Sequence, residues 1–249
     1  MDRDLISAIA HRSHPIAAPV SEAVLRELAG RLAVPDGGRV LDLGCGAGQW
    51  LLAALGAAPP ATGTGVDSSA HALAVARRDA LDRGLAGRVR FEQADAAGWA
   101  GGRFDAVLCV GATHVFGGLA ATLDAVRDHL APGGRLLLGD GFWDGEPTAA
   151  ALDALGAVPG ELPDLPGLVA AVQEHGYEPG HGHVSSAAEW DDYEWSWTGA
   201  LTEWALTEAG PDDRDAALAA ARAHRHEWLT GYRGQLGFLT VVLHDTRLR

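Results

Sequence analysis

The chain has 249 residues, of which 47% are hydrophobic and 21% charged, a composition typical of a soluble globular protein. Its 33 acidic and 19 basic residues give a net charge of −14, which disfavours nucleic acids and anionic membranes as partners, because proteins bind both mainly through basic surfaces. All 19 basic residues are arginines, so enzymes that need a lysine, such as pyridoxal-phosphate enzymes and P-loop nucleotidases, are excluded.

The first 140 residues alternate apolar strands with amphipathic helices. Residues 20–32 predict a helix capped by Ser21, because apolar side chains recur every four residues on one face. Short apolar runs after it predict buried strands at residues 38–43, 61–67, 88–95, 104–112 and 135–140. Between the strands, helices are predicted at residues 47–56, 69–84 and 119–130. Strands alternating with helices of this length indicate βαβ units and a mainly parallel sheet.

The pattern changes after strand five. Residues 146–160 contain prolines and glycines and predict an irregular segment, and a helix is predicted at residues 165–176. A sixth strand is predicted at residues 178–186 and a last strand at residues 236–245. Residues 189–230, between these two strands, are predicted to be helical, and they contain five of the eight tryptophans.

We therefore expect a single domain over residues 1–249 with two helical additions. These are an N-terminal lid segment, residues 1–34, and a Trp-rich cap, residues 187–233, inserted before the last strand. The N-terminus lacks the apolar region of a signal peptide, and no stretch approaches the roughly 18 apolar residues of a membrane helix. We expect a cytoplasmic monomer or homodimer without a membrane partner. Cys45 and Cys109 are too few for a multi-cysteine metal site.

A glycine-rich loop joins the first strand to the helix that follows it. In DLGCGAG (42–48), Gly44, Gly46 and Gly48 follow the buried strand and precede the helix. Glycines there let the backbone turn sharply and let a ligand approach the main chain, and the helix N-terminus adds N–H donors and partial positive charge. The pattern predicts a nucleotide-binding loop, with an ordinary tight turn as the alternative.

Three acidic residues narrow the type of nucleotide. Asp42 stands two residues before the first glycine, where a carboxylate would repel a pyrophosphate but suits a ligand carrying an ammonium and a sulfonium. Gln49 occupies the last glycine position of the dinucleotide fingerprint, which disfavours NAD and FAD. Asp67 ends the second strand, where an acid can hold ribose hydroxyls, and Asp95 ends the third, where a carboxylate can receive an adenine amino group. The alternative is a helix cap for Asp67 and a cap or surface acid for Asp95.

Five motifs follow one another along residues 38–140, namely DLGCGAG (42–48), GVDSS (65–69), QADA (93–96), FDAVLCVGATH (104–114) and LAPGGRLLLGD (130–140). In order and spacing they resemble the class I S-adenosylmethionine-dependent methyltransferases. The segment HPIAAPVSEAVL (14–25) and the Trp-rich tail resemble a bacterial branch of that family that acts on small molecules. The resemblance implies an α/β fold: a three-layer α/β/α sandwich whose seven-stranded sheet has the order 3-2-1-4-5-7-6, with strand 7 antiparallel.

The resemblance also implies S-adenosylmethionine as the methyl donor and S-adenosylhomocysteine as the product. It places Gly44 and Gly46 around the methionine part, Asp67 on the ribose, and Asp95 with Ala96 near the adenine. Neighbouring residues complete the predicted cofactor-binding set: Asp42, Cys45, Gly48, Trp50, Ser68 and Gly111. VGAT (110–113) stands where enzymes that methylate nucleic-acid amino groups carry N/D-P-P-Y/F, so we expect a small-molecule acceptor and no nucleic acid.

Candidates for catalysis lie where strands end. Methyl transfer from a sulfonium is an in-line displacement, so alignment and water exclusion matter most, and a base is needed only if the acceptor keeps its proton. His114 after strand four is the first candidate, because imidazole titrates near neutral pH. Asp140 after strand five and His14 from the N-terminal segment are further candidates. The alternative for each is a packing, turn or capping role.

The Trp-rich cap supplies the predicted acceptor-binding residues. On a helix, Trp190, Tyr193, Glu194 and Trp197 share one face, and Trp143 follows strand five. These residues predict a wall for an amine or an aromatic acceptor, with cation–π contact; the alternative is that the rings pack the cap onto the sheet. No acid directly follows strand four, so we expect no metal. The alternative function is a cofactor-binding sensor or assembly protein that transfers no methyl group.

Overall fold

The computed structural model describes Met1 and residues 3–247, which divide into two compact units. The larger unit comprises Ser21–Asp140, Pro166–Val184 and the chain from Phe238. The smaller unit comprises Met1–Val20, Gly141–Leu165 and Ser185–Gly237.

Strands and helices alternate along the first part of the chain, as the sequence predicts. The strands are β1 Arg39–Leu43, β2 Thr62–Asp67, β3 Val89–Gln93, β4 Phe104–Val110, β5 Leu130–Trp143, β6 Tyr177–Val184 and β7 Leu236–Asp245. The helices are α1 Arg3–Ala10, α2 Glu22–Arg31, α3 Gln49–Ala57, α4 Ala70–Asp82, α5 Leu119–His129, α6 Ala149–Leu155, α7 Leu165–Glu174, α8 Ala187–Thr207 and α9 Pro211–Glu227. A 3₁₀ turn (Thr113–Phe116) and a π-helical segment (Trp228–Tyr232) complete the elements that the site uses.

Within the described residues the strands form one seven-stranded sheet in the order β3-β2-β1-β4-β5-β7-β6. The pairs β1–β2, β1–β4, β2–β3 and β4–β5 are parallel, and β6–β7 is antiparallel. Helices flank the sheet and complete the three layers. The predicted fold class, strand order and antiparallel seventh strand are confirmed.

The central strands are apolar because helices cover both of their faces. Leu41 of β1 pairs in register with Val107 of β4, and both side chains are fully buried. Parallel pairing also brings the carboxyl ends of neighbouring strands to one edge of the sheet, so the ends of β1, β2 and β4 lie side by side.

The smaller unit is helical. Helix α8 packs against α1 and α9, and its start is fixed by a capping box in which Ser186 and Glu189 bond to each other's main-chain N–H groups. An apolar core of Ile9, Ala10, Leu201, Ala205, Ala217 and Ala221 joins the three helices. Although α8 has 21 residues, no helix in the described part of the chain is both long and apolar enough to cross a membrane.

Three local predictions are corrected by the structure. Residues 149–155, expected to be irregular, form helix α6, which begins after the cap residue Thr148. Strand β5 starts at Leu130 and ends at Trp143, well beyond the predicted 135–140. The stretch expected to be helical, 189–230, is broken after Thr207, because Gly210 and Pro211 start a second helix.

The predicted lid and cap relate differently to the two units. The lid segment, residues 1–34, is shared, because α1 belongs to the smaller unit and α2 to the larger. The cap, residues 187–233, lies within the smaller unit. The interpretation of residues 1–249 as one domain stays a prediction.

Candidate active site

The glycine-rich loop between β1 and α3 is tied to the end of β2. The main-chain N–H groups of Gly44 and Cys45 both donate to the carbonyl oxygen of Val66, with N–O distances of 2.9 and 3.0 Å. The φ angles of Gly44, Gly46 and Gly48 are +73°, +51° and +73°. Glycine adopts this left-handed region without steric cost, which explains its presence at all three positions.

The three glycines differ in their surroundings. A Cβ at Gly44 would lie 2.5 Å from the Cβ of Ala112, and a Cβ at Gly48 would lie 2.9 Å from the Phe91 ring. A Cβ at Gly46 would meet no atom within 4 Å. The first and third glycines therefore permit close packing, whereas the space beside Gly46 is open, as a ligand that approaches the main chain requires.

Asp67 joins the loop to the start of helix α4. Its Oδ2 accepts a hydrogen bond from the Gly46 N–H and its Oδ1 accepts one from the Ser69 N–H, each at 2.8 Å. A carboxylate offers about four lone-pair directions, so both oxygens can still accept ligand hydroxyls. The alternative role as a helix cap belongs to Ser69, whose hydroxyl accepts from Ala72 N–H.

Asp42 is a buried acid, with only 3% of its surface exposed. Its Oδ2 has no hydrogen-bond partner among the described residues. Burial, and secondly the neighbouring Asp67 charge, raise the pKa of this carboxyl from 3.8 to about 8. An unpaired buried acceptor next to a second acid creates a site that favours a bound cation.

The remaining predicted cofactor residues have mixed surroundings. Asp95 is exposed and accepts from Ala97 N–H at 3.0 Å, the turn role that was its alternative, while Ala96 is buried. The Ser68 side chain is exposed. Trp50 is buried, and its Nε1–H has no partner among the described residues.

The Cys45 thiol is buried, and burial raises its pKa, which favours the protonated thiol over the thiolate.

The residues of the larger unit fit the expected cofactor. The unpaired Asp42 oxygen suits an ammonium or sulfonium charge, and the open space at Gly46 suits an approach to the main chain. The Asp67 carboxylate retains lone pairs for ribose hydroxyls.

Two catalytic candidates lie at the ends of β4 and β5: Asp140 has a side-chain hydrogen bond, and His114 is exposed. The Thr113 hydroxyl donates to Asp140 Oδ1 at 2.9 Å, which links the two strand ends. Gly111 has a φ of +71°, and its N–H donates to Gly139. His114 lies in the 3₁₀ turn, and its side chain is exposed.

His14 belongs to the smaller unit, where it lies beside Tyr193. Its Nδ1 bonds the carbonyl oxygen of Ile16 at 2.7 Å, and its ring meets the Tyr193 ring edge-on at 5.4 Å between centroids. The Tyr193 hydroxyl bonds His11 Nε2 at 3.1 Å. Burial lowers the pKa of His11, and burial followed by the Glu194 charge raises the pKa of Tyr193, so both groups are held neutral.

Glu194 is the centre of a buried polar cluster in the smaller unit. Its Oε1 accepts from the Tyr232 hydroxyl and its Oε2 bonds His224 Nε2, both at 2.7 Å. The Trp197 ring stacks on the His224 ring at 4.0 Å. Burial and then the Glu194 charge raise the pKa of Tyr232. Among the described residues, no group of three or more His, Cys, Asp or Glu side chains could hold a metal ion.

Two predicted acceptor-binding tryptophans lie near this cluster. The Trp190 ring packs edge-on against Tyr193 and Tyr232, at 6.3 Å from each. Trp143 is 3% exposed and belongs to an apolar group with Tyr232 and Trp228. The structure thus groups His14, Trp190, Tyr193, Glu194 and Trp197 in one unit, as the helical spacing of the last four suggested.

Sequence reasoning missed His224 and gave no role to His11. No local signal marks His224, because it lies 30 residues from its partner Glu194 on another helix. No local signal marks His11 either, because its partner Tyr193 is 182 residues away. The sequence signal that bears on the cluster is Glu194 on the aromatic face of the predicted helix, because an acid that becomes buried there needs polar partners.

Comparison with known proteins agrees with this geometry. A family model described as a methyltransferase domain matches residues 40–134. The uncharacterized protein YjhP of Escherichia coli is 36% identical over 224 residues, which is 89% of each chain. The ubiquinone biosynthesis O-methyltransferase of Xanthomonas axonopodis is 36% identical over 124 residues, about half of each chain.

Two solved structures cover nearly the whole chain, and both are complexes of a SAM-dependent methyltransferase with S-adenosylhomocysteine. The Geobacter sulfurreducens enzyme has a TM-score of 0.88 and 28% identity, covering 96% of this chain and 97% of its own. The Thiobacillus denitrificans enzyme has a TM-score of 0.87 and 30% identity, covering 98% of both chains. Together with the sheet order and the glycine-rich loop, these matches establish that the chain belongs to the class I S-adenosylmethionine-dependent methyltransferases and uses that cofactor.

Proposed function

We propose that the protein transfers a methyl group from S-adenosylmethionine to a nitrogen or oxygen nucleophile of a small molecule. The bound cofactor supplies an electrophilic methyl group on a positively charged sulfur. The observation that supports a small-molecule acceptor is the cluster around the buried Glu194, which bonds His224 and Tyr232. The Trp197 ring stacks on His224, and the Trp190 ring packs against Tyr232 and Tyr193. Aromatic side chains around a few placed polar groups are typical of sites for small ligands.

For the cofactor, we propose the roles that the resemblance to the methyltransferase family implies, and the surroundings of the loop support them. We assign Asp42 to the positive charge of the methionine part, Gly44 and Gly46 to its close approach to the main chain, and Asp67 to the ribose hydroxyls. Asp95 and Ala96 are assigned to the adenine. The surrounding members of the proposed set are Cys45, Gly48, Trp50, Ser68 and Gly111.

For the acceptor, the proposed contacts come from the rings of the smaller unit. Trp190, Tyr193 and Trp197 offer flat apolar faces for an aromatic or cationic group, and Trp143 adds to the same apolar surroundings. Glu194 is a weaker candidate for direct contact, because both of its oxygens already accept short hydrogen bonds.

Three groups are proposed for catalysis. Asp140 is held by Thr113 and can orient a polar group of the acceptor. His114 is exposed, whereas His14 lies beside Tyr193 with 12% of its side chain exposed, and we propose that either imidazole contacts the acceptor.

The test is a transfer assay with methyl-labelled S-adenosylmethionine and a panel of phenols, amines, carboxylic acids, oligonucleotides and peptides. We expect label in one or more small phenols or amines, and none in the oligonucleotides. Label found only in macromolecules would contradict the proposal. Tight cofactor binding without transfer to any member of the panel would favour a sensor or assembly protein.

Location and assembly remain proposals as well. We propose a cytoplasmic protein that works as a monomer or homodimer without nucleic acid or membrane, in keeping with the net charge of −14. Sedimentation at several protein concentrations and fractionation of expressing cells would test both statements.

A further inference from the structure

Gln49 connects the glycine-rich loop to helix α4 through its side-chain amide. It is the first residue of α3, directly after Gly48, and only 5% of its surface is exposed. Its Nε2 donates to Asp79 Oδ2 at 2.8 Å, and its Oε1 accepts from the Arg83 guanidinium. Hydrogen bonds to charged partners are stronger than those between neutral groups. Because both ends of this buried amide are paired, it is held in one orientation.

Asp79 and Arg83 have a spacing at which they could pair with each other directly. They are four residues apart at the end of α4, where an acid and a base meet on one face of a helix. Instead, each bonds the Gln49 amide, and the other oxygen of Asp79 pairs with Arg78 at 3.5 Å. A direct pair would stabilise only α4 itself, whereas the bridging amide joins α4 to the start of α3.

The loop that ends at Gln49 needs restraint if it is to bind a ligand tightly. Three of the seven residues in DLGCGAG are glycines, and glycine has more conformational freedom than any other residue. A ligand that orders such a loop has to offset the entropy that the loop loses. Interactions that order the loop beforehand therefore strengthen binding without touching the ligand.

Helix α4 holds the loop at two separate places. At the start of the helix, Asp67 accepts from the N–H groups of Gly46 and of the cap residue Ser69. Near the end of the helix, about 15 Å farther along its axis, Asp79 accepts from Gln49. A single attachment would allow the loop to pivot, whereas two attachments fix both its position and its direction.

The opposite end of α3 is held by a different residue, which provides a comparison. Arg88, directly before β3, donates to the carbonyl oxygen of Leu55 in the last turn of α3 at 3.1 Å. It also donates to the carbonyl oxygen of Ala61 at 3.2 Å. Gln49 and Arg88 thus both hold α3 in place, but only Gln49 does so at the end that joins the glycine-rich loop.

We propose that Gln49 is a positioning residue for the cofactor, whose amide holds the glycine-rich loop in its binding conformation before the cofactor binds. This inference rests on the function proposed above, in which the cofactor lies against the loop at Gly46, and it is independent of the acceptor. It also gives Gln49 a role of its own at the position where dinucleotide-binding proteins carry a glycine.

The first test exchanges the two polar groups of the Gln49–Asp79 bond. In Q49E, two carboxylates face each other without a hydrogen between them. In Q49E/D79N, the asparagine amide can donate to the new carboxylate, Arg83 can still donate to it, and the net charge of the wild type is kept. We expect Q49E to bind S-adenosylhomocysteine about 10-fold more weakly. The double variant should bind within about threefold of the wild type. Isothermal titration calorimetry well below Tm measures both.

The matched control is R88Q, which removes the hydrogen bonds at the other end of α3. R88Q should lower Tm, as Q49E does, but it should bind the cofactor like the wild type. Affinity losses that follow the losses of Tm equally in Q49E and R88Q would show that Gln49 is only structural and would overturn the inference. A double variant that bound no better than Q49E would overturn it too.

The variant G46A separates this inference from the function on which it rests. Weak cofactor binding by G46A together with normal binding by Q49E would overturn the inference alone. Normal binding by both variants would show that the cofactor does not lie against the loop, and the proposed cofactor contacts would be wrong as well. We expect both variants to bind weakly.

The second test uses the wild-type protein without cofactor. The N–H groups of Gly46 and Gly48 donate to the Asp67 carboxylate and to the carbonyl oxygen of Cys45. In a loop that is ordered before binding, both should exchange with deuterium at least about 10-fold more slowly than in an unstructured peptide. Exchange at the rate of an unstructured peptide would overturn the inference even if Q49E failed to fold.

Discussion

The carboxylate of Asp67 accepts a hydrogen bond from the main-chain N–H of Gly46, with an N–O distance of 2.8 Å across 21 residues. The bond connects the end of β2 to Gly46, the glycine with open space beside it in the loop that follows β1. Through its other oxygen, Asp67 also holds the Ser69 N–H at the start of α4. One side chain thus shapes the loop while retaining lone pairs for a ligand.

Replacing Asp67 with alanine should therefore weaken binding of S-adenosylhomocysteine. Each charge-assisted hydrogen bond contributes about 1.5–3 kcal/mol, so loss of one ribose contact alone lowers affinity roughly 10- to 150-fold. Isothermal titration calorimetry measures the change. The control is D105A, since Asp105 also accepts a 2.8 Å bond from a main-chain N–H, that of Arg39, at the opposite ends of β1 and β4. D105A should bind normally; unchanged affinity in D67A would contradict the ribose assignment.

Gly46→Ala should retain the fold but bind the cofactor poorly. The new methyl group would point into space that is free of protein atoms, where we place the ligand. Gly37→Ala is the matched control, because Gly37 also has a positive φ, +71°, and open surroundings. Each substitution should cost about 1–2 kcal/mol of backbone strain.

Thermal unfolding and calorimetry on the two variants separate strain from binding. We expect G46A and G37A to lose similar amounts of Tm, and we expect only G46A to bind the cofactor more weakly. Gly44→Ala should be the least stable of the three, because its Cβ would meet that of Ala112 at 2.5 Å. Equal affinities in G46A and G37A would rule out close approach at Gly46.

Cofactor binding should release a proton from Asp42 below about pH 8. Burial and the Asp67 charge raise the folded-state pKa of Asp42 from 3.8 to about 8, so at neutral pH this carboxyl carries a proton when no cation is bound beside it. A bound cation favours the carboxylate, so affinity should rise with pH and level off above about pH 8. By the same linkage, the stability of the cofactor-free protein should fall as pH rises from about 4 to 8.

Calorimetry in two buffers of different ionisation enthalpy counts the released protons. Close to one proton is expected at about pH 6.5, and none at about pH 9.5. Asp42→Asn should abolish the release, whereas Asp95→Asn should keep it, because Asp95 is exposed. A binding enthalpy that is independent of buffer at the lower pH would disprove the coupling.

His11 should make the folded protein sensitive to acid. Burial lowers its folded-state pKa below the ordinary 6.5. The unfolded chain therefore takes up a proton first as pH falls through about 6.5, and the free energy of unfolding decreases. His11→Gln should lose less Tm than the wild type between about pH 7.5 and 5.5. His226→Gln, which changes an exposed imidazole, should lose as much Tm as the wild type over this pH range. If H11Q also lost as much Tm as the wild type, His11 would not be the source of the acid sensitivity.

Local sequence patterns located most of the sheet. The strand ending in Asp67 was predicted to within one residue, because buried parallel strands are short apolar runs bounded by glycine, proline or polar residues. Helix α6 was missed because prolines and glycines flank a single short helix, whose cap residue Thr148 was overlooked. The extent of β5 was underestimated because pairing, rather than local propensity, sets where a strand ends.

The cofactor loop and the polar cluster differ in how much of each could be predicted. Gly44, Gly46 and Asp67 belong to one βαβ unit, where chain connectivity itself brings strand ends together. Glu194 and His224, by contrast, meet through the packing of α8 on α9. Their pairing depends on helix orientation over a long sequence separation.

By itself, the sequence determined the alternating strands and helices and the glycine-rich loop, because these depend on periodicity and on local spacing. The methyl donor followed from the resemblance of the ordered motifs to a known family. Tertiary structure alone decided that Asp42 is left with an unpaired oxygen, that Gly46 faces open space, and that His224 and Tyr232 converge on Glu194. Burial and hydrogen-bond pairing are properties of neighbours in space, and residues distant in the chain become neighbours only when the helices and strands pack.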